Sequence, residues 1–267
     1  MSTIKNLINL KNRRALITGA TGNLGKVMAE TLAELGANLV LVDRAGSDFN
    51  SLKATLTERW GNNIEHRVCD LEVQQERTEL IAWLKSGGKE LNILINNAAF
   101  VGTSDLQGWA VPFEGQTIDT WRRALEVNLT AVFDLCKGLT PLLKVCKGAS
   151  IINIASIYGM YAPDWSLYEG TNMSNPAAYS TSKGGLIQFT KWLATTIAPH
   201  VRVNAISPGG VFRNQPDSFV QRYEAKTPLN RMATEDDIRG AICYLCSDLS
   251  RYVTGHNLIV DGGFGIS

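Results

Sequence analysis

The sequence predicts an α/β fold: one parallel sheet, doubly wound, with helices on both faces. Two observations carry this expectation. Seven short runs rich in Val, Ile and Leu alternate with longer stretches of helical spacing, the order of a parallel sheet joined by crossover helices. The short runs are apolar almost throughout, as strands covered on both faces are. The chain also holds 24 glycines in 267 residues, about 9% against a usual ~7%.

The elements follow in order. Strands are expected at 15–17, 39–42, 64–68, 93–95, 151–154, 201–206 and 258–260. The first helix, 24–35, places Leu24, Val27, Met28, Leu32 and Leu35 on one stripe. The longest helical stretches are 121–145 and 177–198, and a shorter one covers 236–247. No repeat or linker interrupts the chain, so residues 1–267 read as one domain. Irregular stretches at about 100–117, 159–176 and 209–233 have the length of binding loops or lids. In a doubly wound sheet the ligand lies beyond the carboxyl ends of the strands, where these loops begin.

Composition excludes several classes. Twenty-six Lys and Arg balance 25 Asp and Glu, for a formal charge of +1. A near-neutral chain without a basic block offers no footprint for nucleic acid. The longest uncharged run, 148–163, is too short and too polar to span a bilayer. The N-terminal residues lack the apolar core of a secretory signal, which predicts a cytoplasmic protein. Five scattered cysteines suggest no disulfide framework. Cys243-x-x-Cys246 has no second pair, and His66, His200 and His256 form no pattern, so no metal site is expected. Ser156 is not in a G-x-S-x-G elbow, which argues against a serine hydrolase.

After the first strand comes Thr18-Gly19-Ala20-Thr21-Gly22-Asn23-Leu24-Gly25, opening a helix. Glycines in this position permit a tight turn and let backbone approach a pyrophosphate, whose charge faces the helix N-terminus. Asp43 closes the second strand, where an acid can bind ribose hydroxyls. A carboxylate there repels a 2′-phosphate, which favours NAD over NADP; the adjacent Arg44 is the residue able to pair with a 2′-phosphate.

Tyr179 and Lys183 stand four apart in a helical stretch, hence on one face and one turn apart. A free tyrosine has a pKa near 10, too high for a base at neutral pH. A neighbouring ammonium favours the phenolate, and the tuned hydroxyl can then exchange a proton with an alcohol or carbonyl. Ser156, just past the fifth strand, is placed to hydrogen-bond the substrate oxygen and the tyrosine hydroxyl.

With these pieces the chain resembles the short-chain dehydrogenase/reductases, in their single-domain branch of about 250 residues. The resemblance runs from Thr18 to Gly263. It rests on the glycine loop, Asp43, Cys69-Asp70-Leu71, Asn96-Asn97-Ala98-Ala99, Asn128, Ser156, Tyr179-x-x-x-Lys183, Asn204-x-x-Ser207-Pro208-Gly209, Thr254-Gly255 and Val260-Asp261-Gly262-Gly263, in that order. The resemblance implies a Rossmann-like fold that binds NAD, or less favourably NADP. It implies cofactor contacts from Gly19, Asn23, Leu24, Gly25, Asp43 and Arg44. It implies further contacts from Asp70 and Leu71 near the adenine, from Asn97 and Ala98 along the cleft, and from Pro208, Gly209 and Val211 beside the nicotinamide. Tyr179 and Lys183 would serve both cofactor and catalysis. Asn128 would join Ser156, Tyr179 and Lys183 as a link in a water-mediated proton relay, from the middle of its helix. The two long helices would form subunit contacts, giving a homotetramer or homodimer. Read from the sequence alone, Trp121, Trp192 and the apolar stripes of those helices are most simply core.

Three departures stand out. The branch spaces its glycines G-x-x-x-G-x-G, whereas here Asn23 holds the second-glycine place. Asn tolerates positive φ best among non-glycine residues, so the expected turn survives. The resulting G-x-x-G-x-x-G resembles the extended branch and keeps an epimerase or dehydratase open beside a simple dehydrogenase; a non-enzymatic dinucleotide sensor is the third reading. The interval from Ser156 to Tyr179 is longer than usual, and it carries Tyr161, Trp165 and Tyr168 among Asp164, Glu169, Asn172 and Asn175. Aromatic faces edged by polar groups suit a polyhydroxylated substrate such as a sugar. The segment also resembles, more loosely, dehydrogenases of flagellin and surface-sugar modification; a subunit-contact or packing loop is the plainer reading. Finally, Arg213 stands where the family often has Thr, facing either solvent or an anionic substrate, within a candidate lid at 211–232.

Overall fold

The computed structural model describes residues 2–101 and 106–267. Part of the loop expected at 100–117 therefore lies outside the described residues. Seven strands form one parallel sheet in the order β3-β2-β1-β4-β5-β6-β7. They are β1 (Arg14–Thr18), β2 (Asn38–Asp43), β3 (Ile64–Val68), β4 (Ile93–Asn96), β5 (Ala149–Ile154), β6 (Val201–Pro208) and β7 (Asn257–Val260). The helices are α1 (Ile4–Ile8), α2 (Asn23–Glu34), α3 (Phe49–Trp60), α4 (Gln74–Ser86), α5 (Ile118–Leu125), α6 (Ala131–Lys144), α7 (Ala177–Ile197), α8 (Asp217–Lys226) and α9 (Arg239–Cys246).

Each strand side chain goes to one of two cores, because successive side chains point to opposite faces. Leu16 of β1, Ile151 of β5 and Val203 of β6 face α4, α6 and α7. Ala15 and Ile17, with Ile152 and Ile154, face α2, α3 and α9. Burial on both faces explains why these strands read as continuous apolar runs. The edge strands differ: Val68 and Ile259 are exposed in the single chain, since an edge has a neighbour on one side only.

The strand order reverses between β1 and β4, and this leaves a crevice at their carboxyl ends. The register of β1 against β2 sets Thr18 opposite Val42, so the loop after β1 emerges beside Asp43.

Two stretches differ from expectation. The helix expected over 121–145 is interrupted by a π turn at Glu126–Thr130 between α5 and α6. Arg77 of α4 is buried there and pairs with Glu126 at 2.7 Å and Asp134 at 3.0 Å. The stretch read as irregular at 209–233 contains α8. Leu167, Phe219, Tyr223 and Met232 form a separate small core that joins α8 to a 3-10 turn, Trp165–Tyr168, of the long interval. Lys226 pairs with Asp164 across the same junction.

Four of the cysteines are buried and Cys243 is half-buried. Among the described residues no cluster could hold a metal ion, and no helix is long and apolar enough to cross a membrane.

Candidate active site

The glycine turn is built by two glycines of different necessity. Gly19 has φ of 62°, the left-handed region, and a Cβ there would lie 2.8 Å from Ala98 Cα. Gly25 is the tighter case, because its Cβ would lie 2.0 Å from the Gly19 carbonyl oxygen. Gly22 is extended and caps α2, with no side chain bonded to the first turn. Asn23 corrects the expectation: it is the first helical residue, and among the described residues positive φ outside glycine falls on Asn12, Asn214 and Asn230. The turn does not need positive φ at that position. Asn23 is exposed, and Leu24 is partly buried against the α2 side of the sheet.

These groups fit a dinucleotide. The α2 N-terminus has neither a side-chain cap nor an acid in its first turn, so its N–H donors and dipole are available to an anion. Asp43 Oδ2 accepts from Thr21 N at 2.9 Å and from Thr21 Oγ1 at 2.7 Å, and its Oδ1 accepts from Arg44 N at 2.9 Å. The carboxylate thus braces the turn while standing at the end of β2. The Arg44 side chain is exposed. Asn97 Nδ2 donates to the carbonyls of Thr18 at 2.9 Å and Gly19 at 3.0 Å. Thr18 Oγ1 accepts from both Asn97 N and Ala98 N. Thr18 is therefore a structural anchor that the motif reading missed; its one signal is a polar residue ending an apolar strand.

Asp70 turns the chain after β3, accepting from Glu72 N at 2.9 Å. Leu71 is buried in the core, and its carbonyl accepts from Arg77. On the other side of the crevice Pro208 ends β6 and Gly209 N donates to Val260 O at 2.9 Å. Val211 bridges to Ala233. Gly210 N donates to the Tyr223 hydroxyl at 2.6 Å, a contact that spacing could not foretell. Arg213 pairs with Glu235 and donates to its neighbour's carbonyl. The guanidinium is thus already engaged rather than free to face an anionic substrate.

Ser156, Tyr179 and Lys183 come together past the end of β5. Ser156 is buried, and its Oγ accepts from Tyr158 N at 3.2 Å. Tyr179 and Lys183 lie on the first turns of α7. Lys183 Nζ donates to Ile154 O at 2.7 Å and stands 5.8 Å from the centre of the Tyr179 ring. Burial lowers the Lys183 pKa to about 8. Burial also holds the Tyr179 hydroxyl above its usual value, while a hydrogen bond with Ser156 pulls the other way. The expected net lowering of the tyrosine is therefore not present in the protein alone; desolvation of the phenolate outweighs its neighbours.

Asn128 sits in the π turn and is buried. Its Oδ1 accepts from Phe100 N at 2.6 Å, and its Nδ2 donates to Ser182 Oγ at 2.9 Å. It meets the helix next to Lys183 rather than Lys183 itself.

A cleft of about 260 Å³ opens beside Tyr179, lined by Trp109, Tyr158, Tyr168 and residues 172–176 of the long interval, among others. Trp192 is another correction: it is 56% exposed on α7, with Phe133 of α6 47% exposed.

A family model described as enoyl-(acyl carrier protein) reductase (adh_short_C2) matches residues 19–265. The chain is 32% identical to trans-4-hydroxycyclohexanecarboxylate dehydrogenase of Sinomonas cyclohexanicum, over 93% of this chain and 91% of that protein. It is 31% identical to the probable galactose dehydrogenase GalD of Rhizobium meliloti (strain 1021), over 96% of each. A solved short-chain dehydrogenase of Leptospira borgpetersenii with bound NAD+ superposes with a TM-score of 0.84 at 34% identity, covering 100% of this chain and 97% of that one.

Proposed function

The chain belongs to the short-chain dehydrogenase/reductase family, and from that premise we propose that it oxidises or reduces a sugar-like alcohol or ketone with NAD, using Tyr179 as acid/base. It is an NAD(P)-dependent oxidoreductase of CH–OH groups. The observation that carries the finer reading is the convergence of Ser156, Tyr179 and Lys183 past the carboxyl end of β5, with Tyr179 lining the cleft.

When bound, the nicotinamide supplies the hydride acceptor or donor. The protein's part is proton handling and orientation. Ser156 fixes the substrate oxygen beside the Tyr179 hydroxyl. Tyr179 takes the hydroxyl proton in oxidation and returns it in reduction. Lys183, held by the Ile154 carbonyl, brings positive charge near the ring and so counters part of the burial cost of the phenolate. Asn128 keeps the Phe100 backbone and the start of α7 in register through Ser182. Asp43 accepts hydrogen bonds only, which suits ribose hydroxyls and opposes a 2′-phosphate. This supports NAD as the cofactor. The galactose dehydrogenase relative and the aromatic, amide-bearing wall of the cleft support a sugar-like substrate.

The test is turnover of a panel of sugars and cyclic alcohols with NAD+ and NADP+. Tyr179→Phe is expected to lower kcat about 10²–10⁴-fold. Undiminished turnover in Tyr179→Phe would overturn the mechanism.

A further inference from the structure

The cleft beside Tyr179 contains a buried donor that the fold leaves without an acceptor. Asn175 is 5% exposed and lies in the cleft wall. Its Oδ1 accepts from Ser180 Oγ at 3.0 Å. Its Nδ2 has no hydrogen-bond partner among the described residues. Burial raises the pKa of the Tyr168 hydroxyl and the neighbouring amide offsets part of that, but the hydroxyl is already bonded to Tyr158 at 2.7 Å. Of the buried side-chain atoms left without a partner in the described residues, this is the one that lines the cleft. A buried, unmatched amide N–H is destabilising, and a ligand oxygen would relieve it.

The neighbouring groups narrow the ligand. The Tyr158 and Tyr168 hydroxyls bond to each other at 2.7 Å, so one donates and the other keeps a proton to offer. Trp109 donates its indole N–H to Val101 O at 2.7 Å, which leaves its ring as an apolar wall. No described residue lining the cleft is charged. The cations of α8 and of the candidate lid are engaged elsewhere: Lys226 with Asp164, Arg222 with the Glu169 carbonyl, and Arg213 with Glu235. A carboxylate or phosphate set against this wall, away from Lys183, would meet no cation among its described lining residues, which is unfavourable.

Resting on the site reading given above, we propose that the cleft selects an uncharged cyclic alcohol or ketone that carries a second hydroxyl, and that Asn175 Nδ2 donates to that second oxygen. Asn175 is then a specificity residue, one turn of chain before the acid/base. The Tyr158–Tyr168 pair supplies the adjoining donor, and Trp109 covers the C–H face of the ring.

The test compares cyclohexanol, the 1,2-, 1,3- and 1,4-cyclohexanediols and 4-hydroxycyclohexanecarboxylate as substrates with NAD+, and NADP+ as control. In the wild type at least one diol is expected to exceed cyclohexanol at least tenfold in kcat/KM (~1.4 kcal/mol), and to exceed the carboxylate by a similar factor. In Asn175→Ala the diol-to-cyclohexanol ratio is expected to fall at least tenfold, mostly through KM. Equal use of diols and cyclohexanol by the wild type, or preference for the carboxylate, would overturn the proposal while leaving the oxidoreductase reading intact. A ratio unchanged in Asn175→Ala would also overturn it. Turnover of none of these compounds with either cofactor would overturn the underlying site reading and the proposal together. The wild-type ratios stand whether or not the variant folds.

Discussion

A methyl group placed on Gly25 would sit 2.0 Å from the Gly19 carbonyl oxygen, while one on Gly22 would sit 3.4 Å from the same atom. The two glycines of one loop are therefore not equivalent. Gly25→Ala forces α2 away from the turn and is expected to weaken binding of the reduced nicotinamide dinucleotide at least tenfold, read by fluorescence titration with NADH and NADPH. Gly22→Ala meets no hard contact and is expected to bind within about threefold of the wild type, since ordinary van der Waals contact carries little cost. Asn23→Gly removes a side chain from a first helical residue and is expected to cost about 0.3 kcal/mol in denaturant unfolding, with no gain in binding. Lys183 carries the pH dependence. Its pKa is about 8 in the folded protein against 10.5 ordinarily, so the folded state disfavours its proton. Below about pH 8 both states are protonated and the burial penalty, about 3 kcal/mol, is fully present. Between pH 8 and 10.5 the unfolded chain holds the proton and the folded one has lost it, so stability rises with pH. Relative to Lys183→Met, the wild type should gain stability over that window in unfolding experiments. A flat difference would remove the buried-lysine account.

At the scale of elements, α8 and the long interval before α7 act as one roof. Leu167 and Phe219 are buried in a core that neither segment can form alone. Leu167→Ala is expected to cost about 2–5 kcal/mol. The double variant with Phe219→Ala should deviate from additivity by about 0.5–3 kcal/mol, measurable by a double-mutant cycle in urea. Additive costs would mean that the two segments pack independently. The roof shows where the sequence stops being legible. The strands were readable because two-sided burial writes an unbroken apolar run. α8 was not, because its apolar residues, Phe219, Val220 and Tyr223, face a small local core among many polar neighbours. The π turn at Glu126–Thr130 was hidden for a related reason. One extra residue in a helix leaves the local composition unchanged, and what holds it, the buried Arg77 pair with Glu126 and Asp134, comes from another helix. Ser156, Tyr179 and Lys183 were legible from spacing. The unmatched Nδ2 of Asn175 was not, because an orphaned donor is defined by what fails to surround it.

For the whole molecule, α6 and α7 leave Phe133 and Trp192 on the surface, with Phe189 stacked on Trp192 at 6.3 Å between ring centres. Exposed aromatic clusters of this kind mark interaction surfaces, and we propose that this face packs on a second copy of the chain, as subunits of a dimer or tetramer. Trp192→Glu places charge in that contact and is expected to lower the mass seen in sedimentation, with the sheet and cleft intact by circular dichroism. An unchanged assembly would move the interface elsewhere. The cysteines have a consequence of a different kind. Burial raises the pKa of every one, with Cys69, Cys136 and Cys246 pushed to about 12. The thiolate is the form that peroxides and alkylating reagents attack, and at neutral pH it is scarce throughout this chain. Oxidative wear on the protein is thereby displaced from sulfur in thiols to the methionines that solvent reaches, such as Met160 and Met173, whose thioethers carry no proton to protect them.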